Sequence, residues 1–233
     1  SNASTWQVAD ILSGSAGSAP GKEGMATLVG DTLYFSANGG SGSGRELWAH
    51  DTSNDSTWLV ADINSGWNSN SNPGQSMEIL VGDTIYFNAD DGNSGNELWA
   101  HDTSNASTWQ VAEINSGSSS SYPGQHMELL VGDTLYFDAN DGSSGYELWA
   151  HDTSNASTWQ VAEIHCCGTG NSFPGARLQT VVGDTFYFSA NDGISGVELW
   201  AHDTSNASTW QVADLNSGSS NSNPGQYMEI LVG

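Results

Sequence analysis

Positive charge is almost absent from this chain, where Lys22, Arg45 and Arg177 stand against 27 acidic residues and leave a formal net charge of -24. Nucleic acid needs a cationic footprint and anionic lipid a polybasic one, so neither is an expected partner. Such an excess suits solubility, cation association or a salty medium, and concerns the surface rather than the fold. Long apolar runs are missing too. None approaches the ~20 residues of a membrane-spanning helix, so membrane insertion is not expected, and no positively charged leader opens the sequence. Cysteine is confined to the adjacent pair Cys166-Cys167, which is not a disulfide framework and reads as one repeat's idiosyncrasy in a surface loop. Helix signals are lacking, since no long stretch has a 3.6-residue period and glycine occurs 28 times. Proline is scarce, and its five copies (Pro20, Pro73, Pro123, Pro174, Pro224) share one place, before a glycine at the end of a Gly/Ser/Asn linker.

Repetition is what the chain has in abundance. The Ser-Thr-Trp tryptophans fall at Trp6, Trp58, Trp109, Trp159 and Trp210, a period of about 51 residues. Within the copy from Met127 to Ile164, Met127-Glu128-Leu129-Leu130-Val131 is a short apolar run closed by the turn pair Gly132-Asp133. Leu135-Tyr136-Phe137 reads as a second strand, ended by the turn cluster Asn140-Asp141-Gly142. Glu147-Leu148-Trp149-Ala150 reads as a third and Thr158-Trp159-Gln160-Val161-Ala162 as a fourth. Four strands and three short turns predict an antiparallel meander. Because the second and third strands are apolar at consecutive positions, both sheet faces should be covered; the material for a core includes ten tryptophans, and the Ser-Thr-Trp strand is expected outermost.

Four-stranded units of this length, covered on both faces and repeated radially, describe an all-β propeller; a β-solenoid is the weaker alternative, because its repeats are usually shorter. Complete blades are expected at about 25–63, 77–114, 127–164 and 178–215. Residues 1–12 and 227–233 would be strands of an incomplete fifth, so the sequence reads as a fragment of a longer array or as a ring with one defective blade. The motifs Glu-Leu-Trp-x-x-Asp-Thr, Leu-Tyr-Phe-x-Ala-x-Asp-Gly and Val-Ala-Asp-Ile resemble the ELWxxDGT-type propeller repeats over nearly the whole chain. The departure is the turn after Asp51, Asp102, Asp152 and Asp203, where glycine is missing and Thr-Ser-Asn-x-Ser lengthens the loop. The resemblance implies an extracellular or cell-surface setting and no particular chemistry.

Alternating strand direction sorts the loops. The Pro-Gly linkers and the turns between second and third strands share one end of the blades, and the other turns share the opposite end. Three sets of candidate residues follow. Asp90, Asp91, Asp141 and Asp192 offer the hard oxygen ligands that Ca²⁺ prefers, although hairpin-turn chemistry accounts for them without a metal. Asn2, Asn54, Asn105, Asn155 and Asn206 each open a glycosylation sequon, on the outer edge of one face. Trp67, Tyr122, Phe173 and Tyr227, with Gln75, Gln125 and Gln226 nearby, stand in or beside the linkers at positions the repeat does not demand, and suit the stacking and hydrogen bonding of a glycan; packing over the blade edge is their bland explanation.

His50, His101, His151 and His202 each precede an aspartate, but neighbouring strand residues point to opposite faces, so no catalytic dyad results and a blade-surface position is expected. The recurring Glu46, Glu97, Glu147 and Glu198 have a strand role. Near-identical units leave no singular cleft of differently tuned groups. The sequence therefore predicts a non-enzymatic extracellular binding module for glycans. The alternative is a structural, adhesive or self-assembling repeat protein, with Ca²⁺ as its cofactor and homo-oligomers formed through open blade edges.

Overall fold

The computed structural model describes residues 4–22, 24–40, 42–166 and 168–226. Among them there is no helix; sixteen strands form four antiparallel sheets, which are the blades of an all-β propeller fold. Blade one is Ala26–Val29 (β1), Thr32–Asn38 (β2), Arg45–Asp51 (β3) and Ser56–Ala61 (β4). Blade two is Glu78–Val81 (β5), Thr84–Asp90 (β6), Asn96–Asp102 (β7) and Ser107–Ala112 (β8). Blade three is Glu128–Val131 (β9), Thr134–Asn140 (β10), Tyr146–Asp152 (β11) and Ser157–Ala162 (β12). Blade four is Gln179–Val182 (β13), Thr185–Asn191 (β14), Val197–Asp203 (β15) and Ser208–Ala213 (β16).

Each blade is a meander in chain order with the same register. Val131 faces Thr134 across the two-residue turn Gly132-Asp133, and Gly132 takes φ 60°, which glycine alone adopts without cost in a hairpin of this kind. A bulge interrupts the pairing of third and fourth strands in all four blades, in blade three between Leu148 and Trp149. At one end of the blades the backbone N–H groups of Thr52, Thr103, Thr153 and Thr204 donate to the carbonyls of Asp31, Asp83, Asp133 and Asp184, joining the two outer turns of each sheet. At the other end Ser71, Ser172 and Ser222 donate to the carbonyls of Arg45, Tyr146 and Val197, which ties each linker to the start of a third strand.

The chain divides into two compact units, Ser1–Glu113 with Gly117–Ser120, and Ile114–Ser116 with Ser121–Gly233. In the first, Met25, Tyr34, Leu47 and Ala49 of blade one pack on Ile85, Phe87 and Ala89 of blade two. In the second, Met127, Tyr136, Leu148, Ala150 and Ile164 of blade three pack on Phe186, Phe188 and Ala190 of blade four. The run Leu135-Tyr136-Phe137 is buried throughout, as a strand dry on both faces must be.

One expectation needs correction. The histidines after blade one are not surface residues: His101, His151 and His202 are buried, with His101 against Tyr34 at 5.2 Å and His202 against Tyr136 at 5.4 Å. Each has Nδ1 2.8 Å from a threonine hydroxyl of the fourth strand, which satisfies one ring nitrogen inside an apolar interface. The Ser-Thr-Trp strand is at the sheet edge, while Trp99 and Trp200 of the third strands pack against the core. Trp58, Trp109, Trp159 and Trp210 lie on the outermost strand, about two-fifths exposed, and the fully buried large side chains are Phe, Leu, Ile and Met. An outermost strand has sheet on one side only, so its apolar face is half wet. Residues 4–10 form no ladder among the described residues, and residues 227–233 lie outside the described set.

Candidate functional site

Where the repeat is strict, the polar side chains are consumed by the fold. Glu147 is buried beneath its linker and accepts from the backbone N–H groups of Ile164 and His165 and from the Ser172 hydroxyl. Glu46 does the same with Ile63, Asn64 and Ser71. Burial nevertheless pushes both carboxyls up to about 7, against the pull of those donors. The aspartates proposed for a cation are similarly occupied. Asp91 Oδ1 accepts from the N–H groups of Asn93 and Ser94 and from the Ser94 hydroxyl, and Asp141 and Asp192 anchor their turns in the same way. Partial burial raises these three carboxyls, but the donors outweigh it and hold them below their usual range. Asp90 Oδ1 accepts from Gly92 N–H. Among the described residues no three His, Cys, Asp or Glu side chains gather into a metal-binding group.

Sequon asparagines Asn54, Asn105, Asn155 and Asn206 sit in exposed turns, each donating from Nδ2 to the preceding aspartate and accepting from the serine N–H two residues on. Asn2, Tyr227 and Cys167 lie outside the described residues. Trp67 is the most exposed tryptophan, at 78%, in the linker of the first unit, with Gln75 exposed further along the same segment. Gln125 and Gln226 are exposed in the second unit.

Variation between copies is concentrated at the linker end of the blades. The residue before each Pro-Gly is Ala19, Asn72, Tyr122, Phe173 or Asn223, always in the left-handed region, with φ from 44° to 52°. Asparagine tolerates that conformation; a bulky aromatic there is strained, and residues before proline are further restricted. Tyr122 and Phe173 are held in it with rings 45% and 39% exposed. Two residues after the glycine stand Ser76, His126 and Arg177, and in the middle of the second strand Ser36, Asn88, Asp138 and Ser189, all four wholly buried. At the start of the third strand stand Arg45, Asn96, Tyr146 and Val197.

The second-strand residue caps the first strand. Asn88 Oδ1 accepts from the N–H groups of Ser76 and Met77, and Asp138 Oδ1 from those of His126 and Met127. In blade two the remaining amide of Asn88 donates to Asn96. In blade three the remaining oxygen of Asp138 meets His126 Nδ1 at 2.6 Å. Since this carboxylate already accepts two backbone donors, Nδ1–H is the donor to it, and Nε2 is left without a bond to Asp138. Around His126 the rings gather: Phe173 at 4.9 Å, Tyr146 edge-on at 5.6 Å, and Tyr146 stacked on Phe173 at 5.6 Å. Burial, with the nearby charges of Asp138 and Tyr122, pushes the Tyr146 hydroxyl up to about 12. A hollow of ≈ 190 Å³ opens here, lined by His126, Ser172, Phe173, Ala176, Arg177 and Val197.

The structure thus brings Phe173 and Tyr122 together with His126, Asp138, Tyr146 and Arg177, four residues that reading for aromatics alone missed. The signal was available. Aligning the copies and marking where blades differ picks out these positions, because a buried Asp replacing Asn or Ser needs a partner.

No family model and no curated protein matches the chain. Among solved structures it is similar to a puromycin hydrolase in a complex with PGG (13% identity, TM-score 0.54, covering 84% of this chain and 29% of that one). It is likewise similar to a puromycin hydrolase (15%, TM-score 0.52, 80% and 28%) and to a Mycobacterium tuberculosis puromycin-hydrolyzing peptidase (12%, TM-score 0.50, 80% and 28%). At these identities the likeness is one of fold, and the chain spans less than a third of the length of each.

Proposed function

We propose that the chain is a non-catalytic binding module of the ELWxxDGT propeller type, acting outside the cell and recognising glycans through the linker end of its blades. The observation that carries this reading is the convergence of the repeat's departures on one solvent-facing patch. A fold needs Phe173 and Tyr122 neither aromatic nor strained, since asparagine fills the same position at Asn72 and Asn223. Rigid exposed aromatics beside amides and a cation are the furniture of a sugar site. Against catalysis stands the use of the recurrent Glu and His side chains by backbone and threonine partners. Among the described residues no helix is long and apolar enough to cross a membrane. The test is a glycan array probed with the parent chain and with a variant carrying the asparagine of the other linkers, Tyr122→Asn with Phe173→Asn. Loss of signal with unchanged thermal unfolding supports the module; equal signals refute it.

A second reading, self-assembly, is favoured by one feature. Leu33, Phe35, His50 and Thr57 of blade one line an open groove of ≈ 380 Å³, together with Val8 and Ile11. Their counterparts in blade two, Ile85, Phe87 and His101, are buried against blade one. On this reading the open face receives a blade from a second copy.

A further inference from the structure

The hollow beside His126 has three chemically distinct walls. Phe173 offers a half-exposed ring face, with Ala176 and Val197 as apolar neighbours. His126 offers Nε2, its orientation set by the bond from Nδ1 to the buried Asp138. Arg177, exposed to solvent, also lines the hollow; its backbone N–H donates to Ser189 Oγ, and among the described residues its side chain forms no ion pair. It is one of three basic side chains in a protein of net charge -24, and another, Arg45, spends its guanidinium on the Ala19 carbonyl. An exposed cation with no ion-pair partner among the described residues, lining an aromatic hollow, is a poor device for stability and a good one for an anion.

From these three walls we infer that the hollow binds an acidic sugar: a single pyranose ring whose C–H face stacks on Phe173, whose carboxylate pairs with Arg177, and one of whose hydroxyls hydrogen-bonds with His126 Nε2. This rests on the glycan-binding reading above and names the ligand class of its best-formed site. Size agrees, because ≈ 190 Å³ falls below the ~300–1,000 Å³ of sites that enclose drug-sized ligands and leaves room for one terminal ring. Charge narrows the choice further. The field of the whole molecule repels a polyanion, so the acid is recognised at a chain end rather than along a uronate polymer. The neighbouring blade supplies a control for one wall: blade two places Ser76 and Asn88 where blade three has His126 and Asp138, so the same capping scaffold exists without the imidazole–carboxylate pair.

The experiment is a titration of the full chain with glucuronate, glucose and benzoate, repeated on Arg177→Ser, on Phe173→Asn and on the paired change His126→Ser with Asp138→Asn. Each substitution copies a residue that another blade already folds with, and thermal unfolding checks that it has. Glucuronate is expected to bind the parent, glucose to bind about tenfold or more weakly, and each variant to lose about tenfold or more in affinity for glucuronate. Equal affinity of parent and Arg177→Ser overturns the proposal, as does benzoate binding as well as glucuronate, which would make the site one for aromatic acids. No glucuronate binding, with neutral glycans still captured on an array and lost on Trp67→Ala, overturns this site while the binding module stands. No glycan captured at all overturns both.

Discussion

Ala106, Ala156 and Ala207 sit at φ 58°, 58° and 56°, one residue after a sequon asparagine, in a region where an L side chain costs about 1–2 kcal/mol. The turn imposes it: Asp152 Oδ1 accepts from the Ser154 N–H and hydroxyl, and Asn155 Oδ1 from Ser157 N–H, so the intervening alanine must bend left-handed. Glycine there should relieve the strain. Ala106→Gly and Ala156→Gly are each expected to stabilise their unit by about 1 kcal/mol, less what the freer unfolded chain takes back, read as a raised thermal midpoint. A lowered midpoint in both would show that the alanine methyl is packed, contrary to its exposed position. The same conformational logic isolates Tyr122 and Phe173, which carry bulky rings in a left-handed backbone where nothing in the fold asks for them.

At the scale of the blade, the third strand's glutamate joins each sheet to the linker that leaves it. Burial holds Glu46 and Glu147 at about 7, above the value of an unfolded chain, so the folded state keeps the proton between roughly pH 4.5 and 7 while the unfolded state loses it. Stability from these groups is therefore full below the lower value and declines as pH rises through the higher. The buried histidines act in the opposite sense. His101, His151 and His202 are lowered by burial, so stability is lost as pH falls below their unfolded value. Comparing the parent with Glu147→Gln separates the two: between pH 5 and 8 the parent should lose thermal stability relative to the variant as pH rises. A difference that is flat with pH would mean that Glu147 is ionised throughout. Neither role was legible in the sequence, although every strand was. Hydrophobic runs and turn pairs locate strands, whereas the face a glutamate or histidine takes depends on which neighbour stacks on it. The bulge between Leu148 and Trp149 further shifts the register from which a strand's facing would be read.

For the molecule as a whole, the sixteen strands and four blades of the described residues follow from a repeat of about 51 residues, while the candidate site follows from where that repeat fails. The aromatic members, Tyr122 and Phe173, stood out because the linkers have no constant residue there. His126, Asp138 and Arg177 did not, since each is unremarkable alone and only their meeting gives them a role. The outward faces bear on assembly. Leu33 and His50 remain partly open on blade one, and Leu215, on blade four, is 64% exposed where its blade-three counterpart Ile164 is buried. Sedimentation should show a weight-average mass that rises with protein concentration, more so when salt screens the acidic surface, and Leu33→Asp should abolish the rise. A strict monomer across concentration and salt would dispose of assembly. The central claim, that recognition lies at the linker end, is tested most directly by the glycan array on the parent and on Tyr122→Asn with Phe173→Asn. The account predicts that the parent binds a defined set of glycans and that the variant, equally stable, loses them. Indistinguishable profiles, or a parent that binds nothing, would contradict it.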